Sequence, residues 1–343
     1  MRYIDNTQYS AWLNCPLYWY EKFYKGYQKV QEGQSGGALT LGSMTHKALE
    51  NYYKNGVVEI DTKVIERLQP TPECFNNAIT LANAWVRTRA GEQWGVVAYE
   101  EALTFKLSYT VSWQGLAKLD TYWLVERETS IDDGLGGSIV LKPGYWIRDY
   151  KTSSAQNRSN VIKSWACNMQ ADFQMLALGE KVGVENIVGM LVGVIEKPRE
   201  YIPKRTCKGC KQQYEFSMYV PVESKYKCGW CGYLQELTPL SKPTGYTKDP
   251  DTYYIRVDRT AEDLEVSKKL ISGVTFAMDN FTIDKSYLSA LIDGYGAINT
   301  LRCVDMIYGE CEFYNAHVAP GLGVNGNSRY IKADTLGYMK SNV

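Results

Sequence analysis

Apolar positions recur along this chain with two different periods, and the changeovers between them outline its elements. Residues 7–27 (TQYSAWLNCPLYWYEKFYKGY) are dense in aromatics and read as the start of a helix, with Pro16 either opening a second helical segment or kinking the first. Glycines from Gly33 to Gly37 break that pattern, and helical spacing returns from about Ser43 to Tyr53 and again from Cys74 to Arg89. From Leu103 to Val125 the period drops to two, with Leu103, Phe105, Leu107, Tyr109 and Val111 alternating against smaller or polar residues. A loop (ERETSIDDGLGGS) leads to a strand from Tyr145 to Lys151. Residues 164–182 predict a helix, and Ile187 to Ile195 a strand buried on both faces. Strand-like Tyr253 to Val257 precedes an acidic helix from Ala261. No internal repeat is visible. Helix, strands, helix, strand is the order of a mixed α/β domain. Residues 203–250 interrupt it with clustered Cys, Lys and Pro, and the tail beyond Pro320 is rich in Gly and Asn.

The strand WIRDYKTS carries chemistry. Side chains alternate along a strand, so Asp149 and Lys151 leave from one face while Tyr150 turns to the other. A carboxylate can hold a divalent cation, and a neighbouring ammonium can position water and offset charge developing on a phosphate. One carboxylate holds Mg²⁺ poorly, so a second is expected from a neighbouring strand, and Asp120 in GLAKLDTYW is the candidate. In LGSMTHKALE, His46 and Glu50 lie four apart on one helix face. An imidazole among oxygen ligands moves preference from Mg²⁺ towards Mn²⁺. Glu50 is read as a ligand, a supporting group or a plain helix-face residue.

In this order the motifs resemble the PD-(D/E)XK nuclease superfamily, and within it the RecB-like branch that includes phage exonucleases and CRISPR-associated adaptation nucleases. Gly42, His46, Leu49 and Glu50 match the first motif, Asp120 the second, Asp149, Lys151 and Thr152 the third, and Gln174 the glutamine of the fourth, which in that family lies near the scissile phosphate. Gln170, one helical turn earlier, competes with Gln174 for that role. The opening segment with Ser10 and Cys15-Pro16 is also similar to this branch. Leu178 stands where the family usually has a tyrosine, and Ala117 where it often has a glycine. The resemblance implies a restriction-endonuclease-like mixed central sheet flanked by helices. It also implies Mg²⁺ or Mn²⁺ held by His46, Asp120, Asp149 and the carbonyl of Tyr150, with Lys151 orienting water. The domain then comprises residues 1–202 and 251–320.

Cysteines change the picture further. Cys207-x2-Cys210 and Cys228-x2-Cys231, separated by 17 residues, have the spacing of a zinc ribbon, in which two knuckles present four thiolates to one Zn²⁺. Residues 203–250 are thus expected to be an inserted zinc ribbon, followed at 321–343 by a flexible C-terminal tail. From Lys197 to Cys231 there are eight basic and three acidic residues, a surplus of five. A ribbon so charged either grips nucleic acid or a protein partner, or simply caps a hairpin rigidly. Cys303-x7-Cys311-x5-His317, taken with Cys15, is similar to the [4Fe–4S] ligand set of the RecB-like branch, with His317 where the last cysteine usually stands. Either the histidine ligates a cluster, or a zinc ion or no metal occupies the remnant. Cys74 and Cys167 read as buried small residues.

Composition narrows the rest. The 343 residues carry 38 basic and 38 acidic side chains, which excludes a protein basic all over but not a local basic groove. The chain does not start with a secretory signal, and no stretch reaches the ~18 apolar residues of a membrane span. Nine cysteines, partly in C-x-x-C pairs, suit metal ligation in a reducing cytosol. Gly321-x-Gly323-x-x-Gly326 lacks the strand and helix of a dinucleotide site, and no P-loop occurs. The expectation is a cytoplasmic DNA nuclease of phage or mobile-element type, with a recombination or replication protein as a further partner. The rival is a non-catalytic DNA- or protein-binding module on a nuclease fold.

Overall fold

A computed structural model describes residues 1–24, 26–29, 37–89, 91–92, 96–154, 158–198, 204–215, 219–222, 225–236 and 249–280, plus three short strands nearer the C-terminus. The chain runs β1 (Arg2–Ile4), α1 (Asn6–Asn14), α2 (Pro16–Trp19), a π-helical turn (Tyr20–Tyr24), β2 (Tyr27–Lys29), α3 (Ala38–Asn55), α4 (Thr62–Leu68) and α5 (Pro72–Arg89). Then come β3 (Val96–Lys106), β4 (Trp113–Val125), β5 (Thr129–Asp132), β6 (Ser138–Leu141), β7 (Gly144–Ser154), α6 (Arg158–Trp165), α7 (Met169–Val182) and β8 (Ile187–Lys197). Small strands β9 (Lys204–Thr206), β10 (Gln213–Glu215), β11 (Tyr219–Val222), β12 (Lys225–Cys228) and β13 (Leu234–Gln235) precede β14 (Asp251–Val257) and α8 (Ala261–Asp279). Strands β15 (Val304–Asp305) and β16 (Gly309–Glu310) pair with each other, and β17 (Tyr330–Lys332), inside the glycine-rich tail, pairs with β2.

Pro16 opens a separate helix, as its missing N–H permits at a first turn. The alternating stretch from Leu103 to Val125 is two strands of a hairpin, and the expected loop after it holds β5 and the turn into β6, a second hairpin whose Ile131, Ile139 and Leu141 are buried. The helix expected at 164–182 is broken at 166–168. There Asn168 caps α7 by accepting from the amide of Gln170, at 2.9 Å.

Six strands form a mixed central sheet. Strand β3 runs antiparallel to β4, from Val96 opposite Trp123 to Lys106 opposite Gln114. It therefore occupies one edge of β4, and β1 and β7 must share the other. Strand β1 pairs there only with Trp113–Gly115, and β7 only with Thr121–Val125. The edge at 116–120 is left open, while β7 continues past Arg148 paired only with β8, parallel, to Ser154. Strand β14 closes the sheet antiparallel to β8. The strands thus fork between Asp120 and Asp149.

Both faces of the sheet are covered, and period-two alternation assigns the residues. Trp146, Tyr150, Leu191, Ile195 and Tyr254 join α3 and α5 in one core, whereas Ile147, Met190, Val192, Val194 and Tyr253 join α1, α7 and α8 in another. Gly193 lies opposite Tyr150, where a Cβ would meet the Trp85 indole at 2.4 Å. Trp85 in turn packs edge-on to Tyr150 at 5.3 Å. Gly193→Ala is therefore expected to cost ~1–3 kcal/mol in denaturant unfolding through overpacking beneath the site; an unchanged midpoint would refute that packing argument. Among the described residues, no helix is long and apolar enough to cross a membrane.

Candidate active site

The open edge of β4 places Asp120 beside β7. The amide of Tyr150 donates to Asp120 Oδ2 at 2.8 Å, a bond across the fork where a strand partner would otherwise stand. A strand residue sends its N–H and C=O to the same side, so the Tyr150 carbonyl also faces the gap. From α3, His46 brings Nδ1 to 3.2 Å from Asp120 Oδ2, and its ring stands edge-on to Tyr150. Asp149 is buried on the α7 side. Its Oδ1 accepts from Gln170 Nε2 (2.8 Å) and Gln174 Nε2 (3.0 Å), and Gln174 also donates to the carbonyl of Lys118 on the open edge (3.3 Å). Lys151 Nζ lies 2.5 Å from Asp149 Oδ2 and 5.8 Å from the centre of the Trp165 ring.

The charges are strongly coupled. Burial raises the Asp149 carboxyl above its ordinary range, against the pull of Lys151, and the negative charge of Asp120 adds to the rise. Burial also opposes ionisation of Asp120, but His46, Lys151 and the Tyr150 amide outweigh it and bring Asp120 to about 2. His46 and Lys151 both titrate above their ordinary values, because nearby carboxylates overcome the burial that disfavours their cations. Lys151 is thus held as an ammonium. It can donate hydrogen bonds to water or phosphate but cannot take up a proton.

The expected residues are brought together, though not as a closed cage. His46 and Asp120 form one pair and Asp149 with Lys151 another, and Gln174 touches Asp149. Among the described residues, only Cys207, Cys210, Cys228 and Cys231 bring three or more ligand atoms within 4.8 Å of one another. The forked site nonetheless fits a hard divalent cation. Its donors are carboxylates, an imidazole and a carbonyl, and Asp149 Oδ2 is buried with no partner among the described residues beyond its ion pair with Lys151. Glu50 is paired with Lys47 and, at 2.6 Å, with Lys54. Cys74 is buried as expected but Cys167 is exposed, because it falls in the break between α6 and α7. Cys15 is buried; Cys303, Cys311 and His317 lie outside the described residues.

Three neighbours of the site carry no sequence signal. Trp165 underlies Lys151. Arg148 is buried among the rings of Tyr53, Trp123 and Tyr150, at 4.6, 4.9 and 5.1 Å. Glu100 stands across from Asp120, since Tyr99 pairs with Thr121 and Glu101 with Leu119, and it adopts a φ of 50°. Its carboxylate meets Lys118 and, at 3.4 Å, Lys47. A non-glycine residue in the left-handed region stores strain on the order of 1 kcal/mol, here in the strand that backs Asp120. Gln170, by contrast, was legible as the i−4 neighbour of Gln174.

The four cysteines form a second site. Each C-x-x-C makes the same turn: Lys211 N donates to Cys207 O and Gly232 N to Cys228 O, both at 2.9 Å, and Lys211 and Gly232 both have positive φ. Cys207 and Cys231 sulfurs lie 3.5 Å apart. Four thiolates at the usual ~2.3 Å from Zn²⁺ would be separated by roughly 3.8 Å, so the cluster fits a tetrahedral ion.

A mixed sheet forked over two carboxylates and a lysine suits phosphodiester cleavage. The sequence profile of the PD-(D/E)XK nuclease superfamily matches residues 6–235, and the chain belongs to that superfamily. Among solved structures it is similar to a protein from Eubacterium rectale provisionally described as an exonuclease, with 11% identity over 82% of this chain and 83% of that one and a TM-score of 0.46. No curated protein matches the chain.

Proposed function

We propose that this chain is a divalent-metal-dependent deoxyribonuclease. The observation that carries this is the Tyr150–Asp120 hydrogen bond across the fork, which sets a second carboxylate beside the D-x-K strand. In this reading Asp120, Asp149, His46 and the Tyr150 carbonyl hold Mg²⁺ or Mn²⁺. When bound, such an ion stabilises charge on the phosphate and lowers the pKa of water. Lys151, kept cationic by the two carboxylates, orients the attacking water and faces the phosphate. Gln174, aided by Gln170, fixes the rotamer of Asp149 and adds a polar contact towards the strand being cut. The likeness to the RecB-like branch extends the reading to exonucleolytic end processing in phage or mobile-element recombination, alongside a recombination or replication protein. The four cysteines hold Zn²⁺ in a ribbon inserted between β8 and β14.

The test is cleavage of labelled linear, circular, single-stranded and duplex DNA with Mg²⁺ or Mn²⁺. Stepwise shortening of linear DNA with circles spared is the expected result, and no cleavage of any substrate with either ion would overturn the proposal. Metal binding has a separate readout. At 100 times its dissociation constant, Mn²⁺ should stabilise the fold by about 2.7 kcal/mol, and Asp120→Asn should remove most of that gain in thermal unfolding. An undiminished gain would exclude Asp120 as a ligand.

A further inference from the structure

The described tryptophans divide sharply. Trp19, Trp85, Trp113, Trp123, Trp146 and Trp165 are buried, and Trp12 packs against the core. Trp230 alone is exposed, at 76% of its surface, and no ring or cation stacks on it among the described residues. It sits in the second knuckle, Cys228-Gly229-Trp230-Cys231, between two members of the cysteine cluster. The backbone there is pinned by the Gly232-to-Cys228 and Cys228-to-Tyr233 hydrogen bonds, both at 2.9 Å. The indole is therefore presented from a rigid turn. Tyr233 and Leu234 beside it are also exposed, at 46% and 48%.

The charge around this ring has one sign in excess. Between Cys207 and Cys231 stand four lysines and two glutamates, and Lys208, Lys211, Lys225 and Lys227 are all exposed. None of the four forms an ion pair among the described residues. The lysines around Glu50, Glu100 and Glu101 behave differently: Lys47, Lys54, Lys118 and Lys181 are each bound to one of these carboxylates. The two knuckles abut, since a Cβ on Gly209 would meet Tyr233 at 2.6 Å, and Lys227 reaches the second of them, its Cε 3.5 Å from where a Cβ on Gly232 would stand. An exposed aromatic ring on a fixed turn, in a small module with four exposed lysines, matches a nucleotide, which offers a π-face and a phosphate together. A protein partner would match the ring but would need an acidic surface as well.

We propose that this ribbon binds single-stranded DNA, with Trp230 stacking on an unpaired base and Lys208, Lys211, Lys225 and Lys227 contacting the flanking phosphates. This rests on the deoxyribonuclease reading and adds to it an anchoring site outside the fork.

The test is fluorescence anisotropy of the full zinc-loaded chain with a labelled oligothymidine and with a blunt duplex, in Ca²⁺ to limit cleavage. Trp230→Ala should weaken oligothymidine binding by about 5- to 150-fold, the range for loss of one base–aromatic stack, and Trp230→Tyr should restore most of it. Replacing the four lysines with glutamine should flatten the salt dependence of log K by about 0.7 for each phosphate no longer neutralised. Wild-type affinity in Trp230→Ala with its zinc retained would overturn the proposal, and so would an equal loss on the duplex or capture of an acidic protein instead of DNA. The two readings fail separately. If the wild-type chain cuts DNA and Trp230→Ala binds normally, only the ribbon proposal falls; if it binds oligothymidine through Trp230 but never cuts, only the nuclease reading does.

Discussion

Replacement of Asp149 by alanine is expected to lower metal-dependent DNA cleavage by on the order of 10³-fold or more while the sheet stays folded. Asp149 is where the site's contacts converge: it receives Gln170 and Gln174 on one oxygen and faces Lys151 with the other. Under the proposed mechanism, losing its carboxylate removes a metal ligand and also unseats the lysine that orients water. Alanine leaves the buried Gln174 amide, the half-buried Gln170 amide and an ammonium without their shared acceptor, a loss of about 1–3 kcal/mol in unfolding free energy. Asparagine keeps an acceptor for the two glutamines and should fold more nearly like the wild type, yet cleave no better than alanine. Because Asp149 and Lys151 act as one unit, the Asp149→Ala, Lys151→Ala double variant should be little slower than the worse single variant. Steady-state cleavage of a linear duplex in Mn²⁺, with circular dichroism on the same preparations, decides it. Wild-type turnover by either Asp149 variant would remove Asp149 from the catalytic centre.

Part of this site is written locally. Asp149 and Lys151 share a face because they are two apart in a strand, and that spacing alone reveals the pair. His46 is similarly legible, as a helix position in a spaced motif. What brings Asp120 to them is not local. It depends on β1 ending opposite Gly115 and β7 leaving β4 opposite Thr121, which leaves five residues of one edge of β4 unpaired. Edge pairing of that kind leaves no mark on hydrophobic period. Glu100 is hidden for a related reason: its left-handed backbone follows from the β3–β4 pairing, and no glycine announces it. Arg148 carries no signal of burial in its strand, and only the aromatic rings arriving from α3 and β4 make a buried position tolerable for it. The break between α6 and α7 escapes notice because helical spacing runs on across it, although Asn168 is a residue type well suited to capping.

The ribbon offers the other large effect, because among its described residues the thiols make up most of what is buried. The buried apolar cluster there consists of Cys207 and Cys228, with Cys210 and Tyr226 packed alongside, separate from both cores of the sheet. A segment with so small a core offsets little of its own chain entropy, so under the proposed zinc assignment the metal supplies the folding energy, roughly 10–16 kcal/mol for a structural zinc site near neutral pH. One zinc per chain is the expected content by elemental analysis, falling towards zero in Cys228→Ser. Loss of the ion should free the backbone around the exposed Lys208, Lys211, Lys225 and Lys227 to enter the protease site, so that trypsin cuts there at least about tenfold faster. The cut chain should nevertheless stay together. Strands β8 and β14 flank the insertion and are paired along seven residues of β14, from Asp251 opposite Glu196 to Val257 opposite Met190. Two fragments that co-elute on gel filtration and separate only in denaturant would establish that residues 203–250 are a loop-like insertion and no part of the sheet's support. If the metal-free chain resisted trypsin as well as the loaded one, the cysteines would not be the ribbon's staple. If the fragments parted after cutting, the ribbon would be bracing the sheet itself.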